Sequence, residues 1–355
     1  MVNSERPGVY TSYTVSSVLY SGSNAGIAGI AAPAESGTAN TLYTVTSYSG
    51  AISLFGKDSA LTELIRILFS SGVSRVMAVP IITEGTESDD DIEEAYEDAF
   101  DMLIADENVK VIVCGSNDDD IYALLKSAIT NAEGRAAHKI GIVENGASVQ
   151  GAVSAAAALN CERMVMVAPK ALDVNGDAAV AGSLSAAVAG AILAESDPAV
   201  PLNGAQLKGI GGVNLQFNDG DIDTLVLGGV TPVECVGGEV SVVRGITTKT
   251  TTGGESDRTW RELSSILVVD DVIPTVREAL KGSFSRVKNT AQTRGAIRTR
   301  VIIELEEKLR QQIIDDYGNV EVKANEDDPT ICDVSFEFTV AHGLNKIEIT
   351  AYITV

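Results

Sequence analysis

Segments of strand length and segments of helix length alternate between residues 42 and 194 of this chain. Residues 109–114 form a nearly continuous apolar run, which is typical of a strand buried on both faces of a sheet. Residues 59–70 carry apolar side chains three or four positions apart, the spacing of an amphipathic helix. This alternation predicts βαβ units and an α/β fold whose central, mostly parallel sheet is flanked by helices. The predicted strands are 42–46, 73–82, 109–114, 139–143 and 163–167, and the predicted helices are 59–70, 91–106, 120–132, 148–159 and 178–194.

The composition changes after Pro201, and the rest of the chain predicts a second unit. We expect a helix at 260–281, bent or interrupted at Pro274, and a second helix at 296–317 that ends at Gly318. Residues 332–340 and 347–355 alternate apolar and polar side chains on either side of a turn segment, which predicts a terminal β-hairpin. Further short strands are predicted at 224–227 and 239–247.

These patterns together predict three parts along the chain. The interpretation is an N-terminal arm at 1–22, an α/β domain at 23–245 and a C-terminal α+β domain at 246–355, which carries the terminal β-hairpin and a C-terminal arm strand. Both ends of the chain are therefore expected to be extended arms.

Strand-forming residues lie at both ends of the chain. Terminal strands either complete the protein's own sheet, which is the commoner arrangement, or pair with neighbouring copies of the chain. The two segments alone leave both possibilities open. The residues that would take part in strand exchange between subunits are Val9, Tyr10, Tyr13, Val15, Ile347, Ile349, Ala351, Ile353 and Val355.

Charge is unevenly distributed in a chain whose formal net charge is -23, a value that argues against general nucleic-acid binding. An acidic surface is predicted before and within the helix at 91–106, and a basic surface is predicted between residues 277 and 300. Each is either an ordinary solvated face or a surface that meets an oppositely charged partner. The acidic residues are Asp89, Asp90, Asp91, Glu93 and Glu94, and the basic residues are Arg286, Lys288, Arg294, Arg298 and Arg300.

The sequence contains none of the common motifs of hydrolases, zinc peptidases or nucleotide-binding proteins. We expect structural roles for both histidines, His138 and His342, and turns rather than cation sites at 173–177 and 218–221. The loop at 115–118 occupies the position where open α/β sheets bind ligands, but the acidic run at 118–120 disfavours a phosphate there. No catalytic residue, metal or cofactor is predicted.

The cysteines and the apolar segments indicate where the chain is made. The four cysteines are far apart and form no C-x-x-C pair, and Cys114, Cys161 and Cys332 lie in apolar strand-like runs. Buried thiols at these three positions and synthesis in a reducing cytoplasm are therefore expected. The first nine residues do not resemble a signal peptide, and residues 178–194 are too short and too weakly apolar to span a membrane. Direct membrane insertion is therefore not expected.

Several segments resemble, in order, those of contractile-tail sheath proteins from phages and phage-tail-like bacteriocins. The opening residues 6–10, the segment 26–40 with its glycines and alanines, residues 45–48 and 54–56, and residues 243–248 carry the resemblance. No single motif is diagnostic, but the ordered set covers essentially the whole chain. The chain is short for the family and lacks the large insertions that some members carry.

This resemblance implies a structural protein rather than an enzyme. It implies subunits that stack as hexameric rings or helical strands around an inner tail tube, start at a baseplate, and contract to drive the tube through a target envelope. The implied partners are further copies of this chain in a helical homo-polymer, the inner tail tube protein, and baseplate and tail-terminator proteins. It also implies that the terminal arms add strands to sheets of neighbouring subunits, that the C-terminal domain and the residues near Arg294 face the tube, and that the protein acts in a virion tail or a released tail-like particle.

Two other classes of protein remain open at this point. One is a soluble α/β enzyme or ligand-binding protein with a site at the carboxyl ends of the parallel strands, which would be a monomer or small oligomer with a pocket. The other is a different tail component, such as a terminator or tube protein.

Overall fold

The computed structural model describes residues 26–82, 88–133, 138–146, 148–347 and 349–351. The strands are β1 (Ile27–Pro33), β2 (Tyr43–Val45), β3 (Val76–Ile81), β4 (Val109–Cys114), β5 (Ile140–Glu144), β6 (Met164–Ala168), β7 (Ala171–Leu172), β8 (Gly212–Val213), β9 (Val230–Val236), β10 (Glu239–Val242), β11 (Thr251–Thr252), β12 (Glu255–Ser256), β13 (Ile314–Ala324) and β14 (Cys332–Val340). The helices are α1 (Tyr48–Phe55), α2 (Ala60–Ser70), α3 (Asp89–Ala105), α4 (Asp119–Glu133), α5 (Val149–Leu159), α6 (Ser183–Ala194), α7 (Asp219–Leu227), α8 (Leu263–Ser283) and α9 (Ala291–Arg310).

An eight-stranded sheet forms the centre of the described residues, in the order β10-β9-β6-β5-β4-β1-β3-β2. All the ladders from β9 to β3 are parallel. The two outermost strands, β10 and β2, pair antiparallel with their neighbours. The predicted α/β fold with a central, mostly parallel sheet is therefore confirmed.

Helices cover both faces of this sheet, as the alternation predicts. On one face α1, α2 and α6 bury apolar side chains in a common cluster with the sheet. On the other face α3, α4, α5 and α7 do the same. Both faces of the inner strands are therefore dry, which is why β4 and β6 read as continuous apolar runs.

Strand β1 lies between β3 and β4 near the middle of the sheet. No strand was predicted here, because the segment is rich in glycine and alanine. The small residues are needed for close packing: a Cβ on Gly29 would come within 2.9 Å of Leu103 on α3. A strand can thus be central and still have weak side-chain signals.

A second unit follows the sheet. We call it the C-terminal unit, and it consists of α9, β13, β14 and the later half of α8. It has its own apolar cluster, to which α8, α9 and the hairpin contribute. Strands β13 and β14 pair antiparallel and form a two-stranded sheet. A C-terminal β-hairpin is therefore present.

The partner of β14 in this hairpin differs from the prediction. We expected residues 332–340 to pair with 347–355, but β14 pairs with β13, and the described residues 341–347 and 349–351 form no strand. The predicted helix at 296–317 in fact ends at Arg310, where Gln312 turns the backbone with a φ of 60°. The helix was predicted too long because Ile313 continues the apolar spacing of α9. Ile313 is buried in the same cluster although it lies after the end of the helix.

Two other predicted strands need correction. Residues 224–227 lie in α7, because Asn218 and Asp221 form a capping box that starts a helix at Asp219. The strand predicted at 239–247 ends at Val242, and β9 was not predicted.

Pro274 lies inside α8, which continues on both sides of it. Among the described residues, no helix has both the length and the apolar composition needed to cross a bilayer.

Candidate functional site

The carboxyl ends of the parallel strands are where an α/β enzyme would bind its ligand, and here a buried side chain occupies that place. Glu144, the last residue of β5, is 3% exposed. Its carboxylate accepts hydrogen bonds from the backbone N–H groups of Gly182 and Leu184, each at 2.9 Å. Burial raises the pKa of this carboxyl, and the N–H donors act in the opposite direction. The amino end of α6 therefore binds an anion that belongs to the protein itself.

The surroundings of Glu144 are packed closely. The phenol oxygen of Tyr122 donates to the carbonyl of Glu144 at 2.7 Å, and that of Tyr96 donates to the carbonyl of Gly115 at 3.1 Å. A Cβ on Gly115 would lie 2.3 Å from the Cβ of Ala32, and one on Gly182 would lie 2.6 Å from the carbonyl oxygen of Cys114. Protein atoms fill this part of the sheet's carboxyl edge, so the structure gives no support to a ligand site there.

The other residues considered for chemistry have structural partners. The Asp173 carboxylate accepts from the backbone N–H groups of Asn175 and Asp177 at 2.8 and 2.9 Å, which makes the segment an Asx turn. His138 is partly buried before β5, and burial together with the charge of Arg163 lowers its pKa to about 4. His342 is exposed after β14. In the described part of the chain, no three histidine, cysteine or acidic side chains come together as a metal site.

The outer edge of β14 has no strand partner among the described residues. Its apolar side chains face the cluster with α8 and α9, while the residues between them are exposed. Within the described ranges, the backbone of β14 pairs only with β13. On the other side of the hairpin, Arg298 donates through Nε to the carbonyl of Val320 in β13 at 2.8 Å. The hairpin therefore presents one strand edge that can accept a further strand.

The chain leaves the body of the protein after β14. Asn345 accepts a hydrogen bond from Asn203 at 2.5 Å, and beyond it the side chains of Ile347 and Ile349 are 71% and 87% exposed. Ala351 is also exposed. The other residues predicted for strand exchange lie outside the described residues: Val9, Tyr10, Tyr13, Val15, Ile353 and Val355. Ile347, Ile349 and Ala351 are thus exposed, and the described residues 347 and 349–351 form no strand within this chain.

The predicted basic residues do not share one surface. Arg286 and Lys288 are exposed in the loop between α8 and α9. Arg294 donates to the Asn289 side chain at 2.8 Å, and Arg300 pairs with Glu304 at 2.6 Å. Arg300 also projects from a different side of α9 than Arg298, because two residues turn a helix by about 200°. The structure keeps only the loop residues fully available to a partner.

The predicted acidic residues lie together at the amino end of α3. Asp89, Asp90 and Asp91 occupy its first turn, where negative charge stabilises a helix. Ser88 and Asp91 form a capping box, and the bonds from Ser88 lower the pKa of Asp91. Glu94 is exposed and Glu93 is half-buried on the next turn. Helix capping accounts for Asp91, and the others form a solvated acidic surface.

The structure also contains ionic contacts that the sequence analysis missed. Arg163, just before β6, forms two parallel hydrogen bonds with the Asp270 carboxylate on α8, at 2.8 and 2.9 Å. Lys308 on α9 pairs with Asp271, and Arg244 pairs with Glu262 at the start of α8. These partners are far apart in the sequence, and no local pattern announces them.

Comparison with known proteins gives consistent results. The chain matches the phage tail sheath protein central domain over residues 92–248 and the phage tail sheath C-terminal domain over residues 255–354. It is 26% identical over 259 residues to the tail sheath protein of Bacillus phage SP01, which is 70% of this chain and 44% of that protein. The chain thus spans less than half the length of this curated relative.

Two solved structures share the fold over nearly the full length. A chain from the baseplate of the anti-feeding prophage has a TM-score of 0.75 at 14% identity, covering 99% of this chain and 100% of that chain. A chain from the helical sheath of the same prophage in its contracted state has a TM-score of 0.71 at 15% identity, covering 100% of this chain and 99% of that chain.

Proposed function

This chain belongs to the phage tail sheath protein family, and we propose that it polymerises as stacked hexameric rings around an inner tail tube. The resulting helical tube contracts and drives the inner tube through a target cell envelope. Family membership supports the sheath role. The observation that supports polymerisation through terminal strands is the pairing of features at the C-terminus: an open edge on β14, and an exposed apolar tail directly after it.

In this proposal the tail of one subunit pairs with the hairpin of another, and we call this contact a joint. The C-terminal tail of one subunit adds a strand to the hairpin of a neighbour, and its apolar face is formed by Ile347, Ile349, Ala351, Ile353 and Val355. The N-terminal segment from Val9 to Val15 likewise adds a strand to a sheet of a neighbouring subunit. Each backbone hydrogen bond of such a joint contributes on the order of 1 kcal/mol net. A joint of several residues therefore holds subunits together while they rotate and slide.

Open contacts of this kind also explain a tube. A contact between different surfaces of identical subunits generates a ring if the rotation between subunits closes, and a helical strand if it does not. The division into an arm at 1–22, an α/β domain at 23–245 and a C-terminal domain at 246–355 is part of the proposal. The rigid α/β domain forms the body, and the C-terminal domain lies nearest to the tube.

The proposed partners are other copies of the chain, the inner tube protein, the baseplate and the tail terminator. Of the predicted basic residues, we assign Arg286 and Lys288 to the tube or to a neighbouring subunit. Both are exposed, whereas Arg298, although also exposed, is held by its hydrogen bond to Val320. The exposed acidic residues of α3 form a candidate contact surface of opposite charge. The protein is synthesised in the bacterial cytoplasm and acts in the tail of a virion or tail-like particle.

We propose no catalytic activity, cofactor or metal for this chain. Contraction then draws on contacts between subunits that are less stable in the extended sheath than in the contracted one. The competing proposal, an α/β enzyme with a site at the carboxyl ends of the strands, lacks support because Glu144 and its neighbours occupy that place.

Electron microscopy of the protein expressed with its tube protein tests this function. The full chain should form sheaths around tubes, and a variant lacking residues 346–355 should form none. A control in which these residues are replaced by a Gly/Ser segment of equal length separates the need for a strand from the need for length, and it should also fail. Regular sheaths from the truncated chain would contradict strand exchange by this tail, and absence of sheaths from the full chain would contradict the sheath role.

A further inference from the structure

Helix α8 contributes to two apolar cores at once. Leu263 and Ile266, near its amino end, are buried in the cluster on one face of the eight-stranded sheet. Val272 and Val276, further along, are buried in the cluster of the C-terminal unit. Backbone bonds fix its beginning to the α/β domain: the N–H of Leu263 donates to the carbonyl of Gly245 at 3.3 Å. Helix α8 therefore connects the C-terminal hairpin to the α/β domain.

Two adjacent carboxylates follow the point where α8 passes from one core to the other, since Val268 already belongs to the cluster of the C-terminal unit. Asp270 binds both Nη atoms of Arg163, at 2.8 and 2.9 Å, and the Arg163 side chain is 2% exposed. A paired guanidinium and carboxylate of this geometry fixes direction as well as distance. Because Arg163 stands at the amino edge of the sheet, this pair holds α8 to the α/β domain.

The neighbouring carboxylate is directed toward the other unit. Asp271 pairs with the ammonium group of Lys308 on α9, and Lys308 as a residue is 9% exposed. Consecutive residues on a helix are about 100° apart, so one carboxylate can face the sheet while the next faces α9. The two ion pairs together join β6, α8 and α9 in a single line of contacts.

One backbone hydrogen bond of α8 is missing close to these carboxylates. Pro274 has no N–H, so the carbonyl of Asp270 lacks its usual helical donor four residues later. A helix can bend at such a position. The side-chain pairs of Asp270 and Asp271 therefore lie next to the interruption in the backbone hydrogen bonding of α8.

We propose that Asp270 and Asp271, through Arg163 and Lys308, fix the orientation of the C-terminal hairpin relative to the α/β domain, so that both move as one body. The four side chains are positioning residues, since they act through the helices that carry the hairpin. The consequence for assembly rests on the proposed function: a strand edge held in one direction sets the rotation between successive subunits. The coupling within the chain does not depend on that function.

Hydrogen exchange on the purified full chain tests the coupling. In Asp270→Asn, exchange of the amides in α9, β13 and β14 should accelerate at least tenfold more than exchange in β4, β5 and β6. The matched control is Glu307→Gln, which removes an exposed ion pair with Arg310 on α9 and should leave both regions unchanged. Unchanged exchange in Asp270→Asn, or equal acceleration in both regions, would overturn the proposal.

Two further variants keep the test decisive. If Asp270→Asn does not give folded protein, Asp271→Asn is measured instead, because it leaves the buried Arg163 pair in place, and the same local acceleration is expected. Asp270→Glu retains the charge and should recover at least half of the lost protection. A failure of Asp270→Glu to recover any protection would show that the charge pair is not what couples the units.

Assembly provides a readout that a purely structural role would not change. In sheaths formed with the tube protein, Asp270→Asn should alter or disorder the rotation per subunit measured by electron microscopy, while Glu307→Gln should leave it unchanged. An unaltered rotation would overturn the link between coupling and assembly. If the wild-type chain forms no sheath, the proposed function fails, and the exchange measurement still decides the coupling.

Discussion

The edge strands of the eight-stranded sheet are covered or short, whereas the C-terminal hairpin has a long edge strand that is open. At β10 the outer edge is covered by a loop: Leu207 donates to the carbonyl of Val240 at 2.8 Å, and Val242 donates to that of Ala205 at 3.0 Å. At the other end, β2 is only three residues long. The nine-residue strand β14 has no such cover among the described residues. Natural proteins usually protect edges, so an edge left open next to an exposed tail indicates a place for pairing between chains.

Burial differs in the same way between the two regions. Every residue of β3, β5 and β6 is buried, whereas no residue of β14 is, and its side chains alternate between half-buried and exposed. A two-stranded sheet is only marginally stable without further partners. Substitutions in the sheet should therefore change folding, while substitutions at the tail should change assembly.

Ile30→Ala should have the largest effect on folding. Ile30 lies in β1, and its side chain is fully buried in the apolar cluster that the sheet forms with α1, α2 and α6, so the change leaves a cavity in this core. We expect the free energy of unfolding to fall by about 4 kcal/mol in a denaturant titration. Ile303→Ala on α9, where the side chain is 52% exposed, is the control and should change it by less than about 1 kcal/mol. Equal losses would remove the distinction between the regions.

Glu144→Ala should have the next largest effect. The substitution leaves the N–H groups at the start of α6 buried without an acceptor. We expect a loss of about 3 kcal/mol in the free energy of unfolding. The control is Glu94→Ala on the exposed surface of α3, which should be nearly neutral. A loss below about 1 kcal/mol would mean that another group or water satisfies these donors.

The pH dependence of stability should report on the junction between the two regions. The folded-state pKa of His138 is lowered from 6.5 to about 4, first by burial and then by the charge of Arg163. Between these values the unfolded chain binds the proton and the folded chain does not, so stability should fall as the pH decreases from about 6.5 to about 4.

The expected loss across this range is on the order of 2 kcal/mol. His138→Gln should make the stability profile flatter over the same interval, as measured by denaturant titration at several pH values. The exposed His342→Gln serves as the control and should leave the profile as it is. A wild-type profile with the same slope as His138→Gln would show that this histidine does not contribute.

Ile349→Asp should have the smallest effect on folding and a complete effect on assembly. Its side chain is 87% exposed, so the free energy of unfolding should change by less than about 0.5 kcal/mol. Sheath formation with the tube protein should be lost, because the apolar face of the donated strand would carry a charge. Thr350→Asp places the same charge on the alternate face and should assemble better. Normal sheaths from Ile349→Asp would contradict the role of this face.

Much of the α/β domain could be predicted because its signals are local. The helix α2 is fixed by apolar spacing and by the Ser59 cap, and strands β4 and β6 by apolar runs only a few residues long. The C-terminal unit was predicted less well, since Ile313 continues a helical pattern that the backbone abandons at Arg310. Periodicity reports which side chains are buried, but not whether the chain reaches the core by a helix or by a turn.

The sequence by itself determined the parallel sheet, its covering helices and the apolar tail, because each depends on residues within a few positions of one another. Only the tertiary structure decided that β13 is the partner of β14, that Glu144 caps α6, and that Arg163 meets Asp270 across 107 positions of sequence. It also separated Arg298 from Arg300, which the sequence had placed in one cluster. Such contacts depend on the path of the whole chain, and a local pattern of apolar and charged residues carries no information about that path.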